Sequence, residues 1–238
     1  PASIPKSNDG EKHHFDPYPH AAFAAMVARL DKYVGEILKA IKENGLEENT
    51  LIIFTSDNGP HKENGGDPVF FNSNAGFKGI KRDLYEGGIR EPFIVYRKGM
   101  TKAGTENHTP IILYDMFPTF LELANVTSKI KTDGQSVLAS FMNKQQSPPK
   151  YLYWELHESG GKQAVRMGDW KAVKLDVSKN KNAPIELYNL KADPGEKNNV
   201  ADKNPVIVKQ MEALMKDAYV QNKDWPLFPG EENNLKTK

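Results

Sequence analysis

The sequence predicts an α/β catalytic part followed by a smaller α+β subdomain built on an antiparallel sheet, and three observations carry that prediction. An amphipathic repeat from Ala21 to Asn44 leads through a short loop into the continuously apolar run Leu51-Ile52-Ile53-Phe54, which together make half of a βαβ unit. That run breaks into Asp57-Asn58-Gly59-Pro60, turn chemistry at the carboxyl end of a strand, where open α/β sheets bind their ligands. Beyond residue 150 the pattern changes to short β-rich runs separated by Gly160-Gly161, Gly168-Asp169 and a Lys/Asn loop. The polar stretch Ser128–Lys150 marks the passage between them, giving units 1–127 and 128–238.

Composition narrows the function classes. Of 238 residues 38% are hydrophobic and charge is balanced to +1, which fits a soluble globular protein and argues against a nucleic-acid footprint. No run approaches the length of a membrane span. The first residues, Pro1-Ala2-Ser3-Ile4-Pro5, carry neither the basic nor the apolar part of a signal peptide. There is no cysteine, so disulfides and thiolate metal sites are excluded.

Taken in order, Pro1–Pro19 is a surface loop. Its histidines His13 and His14, with His20 just beyond, suit solvent better than a metal. Phe23, Met26, Val27, Leu30, Val34, Ile37, Leu38 and Ile41 form the stripe of a helix that Asn44-Gly45 stops, and that stripe is assigned to core packing. Leu51–Phe54 is expected to be a parallel strand buried on both faces. Asp57 and Asn58 then offer two hard oxygens of the kind calcium or magnesium takes; an Asx turn is the alternative for the same residues. The following loop supplies Lys78, Lys81 and Arg82 among glycines, and a divalent metal beside lysine points to an anionic ester as substrate.

His61, on the loop after Asp57, has the pKa range of a general acid near neutrality, with an ordinary loop histidine as the alternative. Residues 63–77 form a glycine- and asparagine-rich rim suited to selecting substrate. In Tyr85-Glu86-Gly87-Gly88 the glycines are assigned to a tight turn, and Glu86 and Arg90 to pairing within it. Phe93–Tyr96 is a second short strand, and Tyr114–Asn125 a helix with Pro118 near its start. In the second unit the runs starting at Tyr151, Gln163, Trp170 and Ile185 make the antiparallel sheet, and the lysine-rich stretch Lys171–Lys181 is read as a solvated hairpin. Asn204-Pro205 starts a last helix with an N-cap and a first-turn proline. Trp225–Lys238 is an irregular tail. His157, at a strand end, is placed to reach the mouth of a site, with a packed or loop histidine as the alternative.

Thr55-Ser56-Asp57-Asn58-Gly59, followed by Gly79-Ile80-Lys81-Arg82-Asp83-Leu84-Tyr85-Glu86-Gly87-Gly88-Ile89-Arg90-Glu91-Pro92, resembles the C-terminal half of a type I, formylglycine-dependent sulfatase of the arylsulfatase kind. That family lies in the alkaline-phosphatase-like superfamily, and the resemblance extends from about His20 to about Ala201. It implies an alkaline-phosphatase-like α/β fold and hydrolysis of sulfate esters on sulfated sugars or polysaccharides. Asp57 and Asn58 would supply two ligands of a Ca2+ ion, Lys81 would contact the sulfate oxygens, and a histidine would protonate the leaving alcohol. Apart from the resemblance, the roles of Arg82 and Asp83 stay open, with recognition of a sugar carboxylate or a second sulfate as one reading of Arg82. The nucleophile, a formylglycine made from a Cys/Ser-x-Pro/Ala-x-Arg motif, has no counterpart here; it is expected upstream, with an N-terminal half as partner, so this chain alone is expected to be inactive. The alternatives are a phosphoester or phosphonate hydrolase of the same superfamily and a non-catalytic sulfated-glycan-binding remnant. Residence in the periplasm or outside the cell rests on the resemblance alone.

Overall fold

A computed structural model describes residues 18–231 apart from 64, 223 and 229, so His13, His14 and the last seven residues of the tail lie outside the described residues. Helix α1 spans Pro19–Glu43, with proline in its first turn. It ends where the Asn44 side chain donates to Ala40 O at 2.8 Å and Gly45 takes a left-handed φ of +68°. A 3-10 turn, Glu47–Asn49, leads into β1 (Ile52–Thr55). The motif turn α2 (Glu86–Ile89) precedes β2 (Phe93–Tyr96). Beyond it, the turn Leu113–Asp115 runs into α3 (Met116–Leu123), and α4 covers Leu138–Phe141.

Two expectations for this part are corrected. Strand β1 is not a parallel strand covered on both faces; it pairs antiparallel with β2, with Ile52 opposite Tyr96 and Thr55 opposite Phe93. Leu51, Ile53, Phe93 and Val95 point to one side and pack on Val137, Leu138 and Phe141, whereas Phe54, Ile94 and Tyr96 stay exposed on the other. A continuous apolar run thus alternates in burial, because period 2 separates the faces whatever the residues are. The stripe of α1 is likewise open: no residue of that helix is buried, and Met26, Leu30 and Ile37 are more than half exposed. The core on the inner side of β1–β2 is locked to α3 by Thr119, whose hydroxyl donates to Asp115 O and accepts from Val137 N. Helix α4, beyond residue 127, therefore packs with the first unit.

The four-stranded sheet is an antiparallel meander in the order β3 (Leu152–Leu156), β4 (Lys162–Met167), β5 (Trp170–Leu175) and β6 (Ile185–Asn189). Alternation sends Val165, Ala172 and Leu187 to one face, where Met211 and Met215 of α5 (Pro205–Ala218) cover them. It sends Ala164, Val173 and Tyr188 to the other, where Leu84, Tyr85 and Ile89 of the motif segment pack. The sheet is thus sandwiched between its own helix and the motif. The start of α5 differs in detail from a side-chain N-cap: Asn204 Nδ2 donates backward to Val200 O at 2.8 Å, leaving Pro205 to begin the helix without one.

Candidate active site

A cleft of about 790 Å3 opens where β1 ends, walled by residues 55–58, 81–84, 88, 89, 91, 93, 111–114, 153–156 and 158. It gathers Asp57, Asn58, Lys81 and Arg82. Two backbone hydrogen bonds join their segments: Gly59 N donates to Gly88 O at 2.9 Å and Lys81 N to Pro60 O at 3.0 Å. Glycine is required at this junction for space. A Cβ on Gly59 would sit 2.0 Å from Gly87 O, one on Gly87 2.3 Å from Gly79 O, and one on Gly88 2.1 Å from Asp83 O. The motif glycines therefore serve close packing, whereas Gly79, with φ +86°, makes the reversal that presents Lys81.

Asp57 makes no hydrogen bond among the described residues. Asn58 uses its Nδ2 on Gly59 O at 2.9 Å, which leaves its amide oxygen without a donor. Neither residue forms the Asx turn its sequence permits. Beside them lies a carboxylate that sequence reasoning missed. Glu91 lines the cleft, its Oε1 is buried without a partner, and burial together with the Asp57 charge raises its pKa above the usual range. Its only sequence signal was its place in the motif Arg90-Glu91-Pro92, where no role was assigned to it. The buried, unpartnered Glu91 oxygen beside the exposed Asp57 carboxylate and the Asn58 amide oxygen is a donor set that fits a hard divalent ion. The described residues contain no group of three or more His, Asp or Glu able to hold a metal, so Asp57 and Asn58 do not by themselves make a complete metal shell.

Lys81 is half-buried at the cleft wall. Arg82 beside it holds a left-handed φ of +74°, an outlier for a large side chain, and its Nε donates to Glu158 Oε2 at 2.9 Å. Lys162 fixes that conformation from below, donating to Arg82 O at 2.6 Å and to Asp83 Oδ1 at 3.0 Å. The opposite wall is aromatic, from Tyr114, Tyr153 and Trp154. Burial pushes the Tyr114 hydroxyl up to about 12, so it stays a neutral donor.

The two histidines fall outside the cleft lining. His61 accepts from Glu63 N at 3.3 Å through Nδ1 and sets Nε2 3.3 Å from Glu63 Oε1. His157 lies between lining residues Leu156 and Glu158, but its Nε2 faces Glu155 Oε1 at 3.2 Å and its ring meets Trp225 edge-on. His20 stacks on Phe70 with centroids 4.1 Å apart and reaches Asp67 at 3.7 Å, an anchor for the rim loop.

The structure also corrects the lysine-rich hairpin. Lys171 has no exposed surface; its Nζ donates to Glu86 Oε1 at 2.9 Å and lies 3.0 Å from Glu196 Oε1. Glu86 pairs with Arg90 at 3.7 Å within its own turn, but its shorter contact is to the sheet.

Comparison with known proteins gives the family. The family model described as Sulfatase matches residues 3–126, and one described as N-sulphoglucosamine sulphohydrolase, C-terminal, matches residues 77–223. An N-acetylgalactosamine-6-O-sulfatase of Bacteroides thetaiotaomicron is 27% identical over 85% of this chain and 44% of its own length. Human arylsulfatase A is 29% identical over 81% of this chain and 42% of its own. Among solved structures, Ps i-CgsB in complex with k-i-k-neocarrahexaose has a TM-score of 0.72 at 29% identity, covering 92% of this chain and 48% of that one. The PsFucS1 sulfatase from Pseudoalteromonas sp. has a TM-score of 0.64 at 30% identity, covering 87% and 46%. The chain spans less than half the length of these relatives. With a matching model over more than half its residues and the Asp57–Lys81 cleft in place, the chain belongs to the sulfatase family.

Proposed function

We propose that this chain is part of a sulfuric ester hydrolase acting on sulfated sugars, and that it supplies one side of the metal site and the sulfate-contacting lysine. The observation that carries the proposal is the joining of Asp57-Asn58 to Lys81 in one cleft through two main-chain hydrogen bonds. Asp57 and Asn58 would hold Ca2+ through side-chain oxygens, and such an ion supplies fixed positive charge to sulfuryl oxygens. Lys81 adds a second positive charge, placed where oxygen charge grows as the ester bond breaks. Arg82, tethered to Glu158 beside it, reads a second anionic group on the sugar, and Tyr114 and Trp154 offer aromatic faces for the ring. Activity belongs to this chain together with an N-terminal half that carries the formylglycine and the remaining ligands. The sulfated-sugar substrates named for the relatives support the glycan assignment.

The test is a pair of substitutions in the sulfatase that contains this sequence. Lys81→Ala is expected to lower kcat by roughly 100-fold or more, the scale of losing one preorganised oxyanion contact. Asp57→Ala is expected to weaken calcium binding, read directly by calorimetry. Normal kcat in the first and normal calcium affinity in the second would overturn the assignment. A matched sulfate and phosphate ester pair separates sulfatase from phosphoester hydrolase, and the chain on its own is expected to cleave neither.

A further inference from the structure

The sheet face turned toward the motif carries polar groups at period-2 positions, and each of them touches the segment 78–90. Arg166, Lys171 and Tyr188 are register partners across β4, β5 and β6. Tyr188 OH accepts from Lys78 Nζ at 2.9 Å, while Lys171 and Arg166 face the Glu86 carboxylate at 2.9 and 3.9 Å. Glu186, two residues from Tyr188, accepts from Tyr85 OH at 2.6 Å. Lys162, four residues before Arg166, holds Arg82 O and Asp83. Glu196, from the turn after β6, completes the set by accepting the first amide of α2, Glu86 N, at 2.6 Å. Lys171 and Glu196 are fully buried, and none of Glu86, Lys171 and Glu196 lines the cleft.

Stability alone gives this cluster no reason to be charged. Taking ions out of water costs so much that well-packed apolar side chains of similar volume are commonly as stabilising. What charge adds is direction, since the turn is held at once by the Lys171 hydrogen bond to Glu86, the Glu86 N hydrogen bond to Glu196 and the 3.0 Å approach of Lys171 Nζ to Glu196 Oε1. From that turn the constraint passes along the main chain. Gly87 N donates to Lys78 O at 2.7 Å, Gly88 O receives Gly59 N, and Lys81 N reaches Pro60 O.

We propose that Glu196, Lys171 and Glu86 are positioning residues that set the distance between Lys81 and the Asp57-Asn58 turn. The proposal rests on the assignment of Lys81 as the sulfate-contacting group. Glu196→Gln is the first variant, being nearly isosteric, and Lys171→Met the second. Hydrogen exchange on this chain reads the placement: peptides within 78–90 are expected to exchange at least about tenfold faster, with β3 and β4 unchanged. In the sulfatase containing this sequence, the same variants are expected to lower kcat at least about tenfold with KM within about threefold, the split of an interaction felt in the transition state. Unchanged exchange at 78–90, or protection lost evenly across the sheet, would overturn the inference. So would a wild-type kcat. Lys81→Ala separates the two ideas. If it abolishes turnover while Glu196→Gln changes nothing, only the positioning role fails; if it leaves kcat intact, the assignment of Lys81 itself fails.

Discussion

Glu196 has no exposed surface, and burial pushes its carboxyl above the usual 4.5 although Lys171 stands 3.0 Å away. An acid whose pKa is raised by folding binds its proton more tightly folded than unfolded. Its contribution is therefore present below 4.5 and is lost as pH rises from there through the folded value. Urea unfolding across the mildly acidic range should show this loss, and Glu196→Gln should flatten it; an unchanged pH profile would refute the sign. Lys171→Met leaves two carboxylates facing each other in the interior and should cost about 3–5 kcal/mol, measured from the urea midpoint. At this scale the sequence was legible for the gathering of Asp57, Asn58 and Lys81 in one cleft, which the motif spacing leads one to expect. It was not legible for Lys171, where alternation gives a strand position but not the distant carboxylates that turn an exposed lysine into a buried one. Glu91 was missed for the same reason: its significance comes from proximity to Asp57, which only the fold creates.

Elements show the same division. Helix α1 was readable because its repeat and its Asn44-Gly45 stop are local, and α5 because its apolar residues recur on one face. The antiparallel pairing of β1 with β2 was not, since a short apolar run carries no information about the direction of its neighbour. The motif glycines do sit in the expected tight turn, where Gly88 N donates to Tyr85 O at 2.9 Å, but the need for space there was not visible in the sequence. Two substitutions separate space from conformational freedom. Gly88→Ala places a Cβ 2.1 Å from Asp83 O and should cost at least about 1–3 kcal/mol, with the 78–90 segment losing protection. Gly35→Ala, in the middle of α1 with nothing within 4 Å, should instead stabilise that helix by about 0.5–1 kcal/mol. Thermal unfolding measures both, and equal effects at the two sites would contradict this account.

Across the whole molecule, apolar surface is unevenly covered. The C-terminal sheet is enclosed on both faces, whereas Met26, Leu30 and Ile37 of α1 and Phe54 and Ile94 of β1–β2 face solvent. Such surface binds a partner or associates with itself. The chain should therefore self-associate in sedimentation as concentration rises, and an N-terminal half that completes the site should suppress that association. A chain that stays monomeric at high concentration would argue against a missing cover. No helix among the described residues is long and apolar enough to cross a membrane, so the α1 stripe is not a span.

The two hydrogen bonds from Gly59 N to Gly88 O and from Lys81 N to Pro60 O also close the base of the segment between residues 61 and 80. A loop whose ends are pinned by the main chain can change length at little cost, about 0.6 kcal/mol for each doubling. The rim is in effect an exchangeable cassette. Sequence between residues 63 and 76 is expected to tolerate shortening or extension, provided Lys78 and Gly79 are kept, while the Asp57-Asn58 turn and Lys81 keep their spacing.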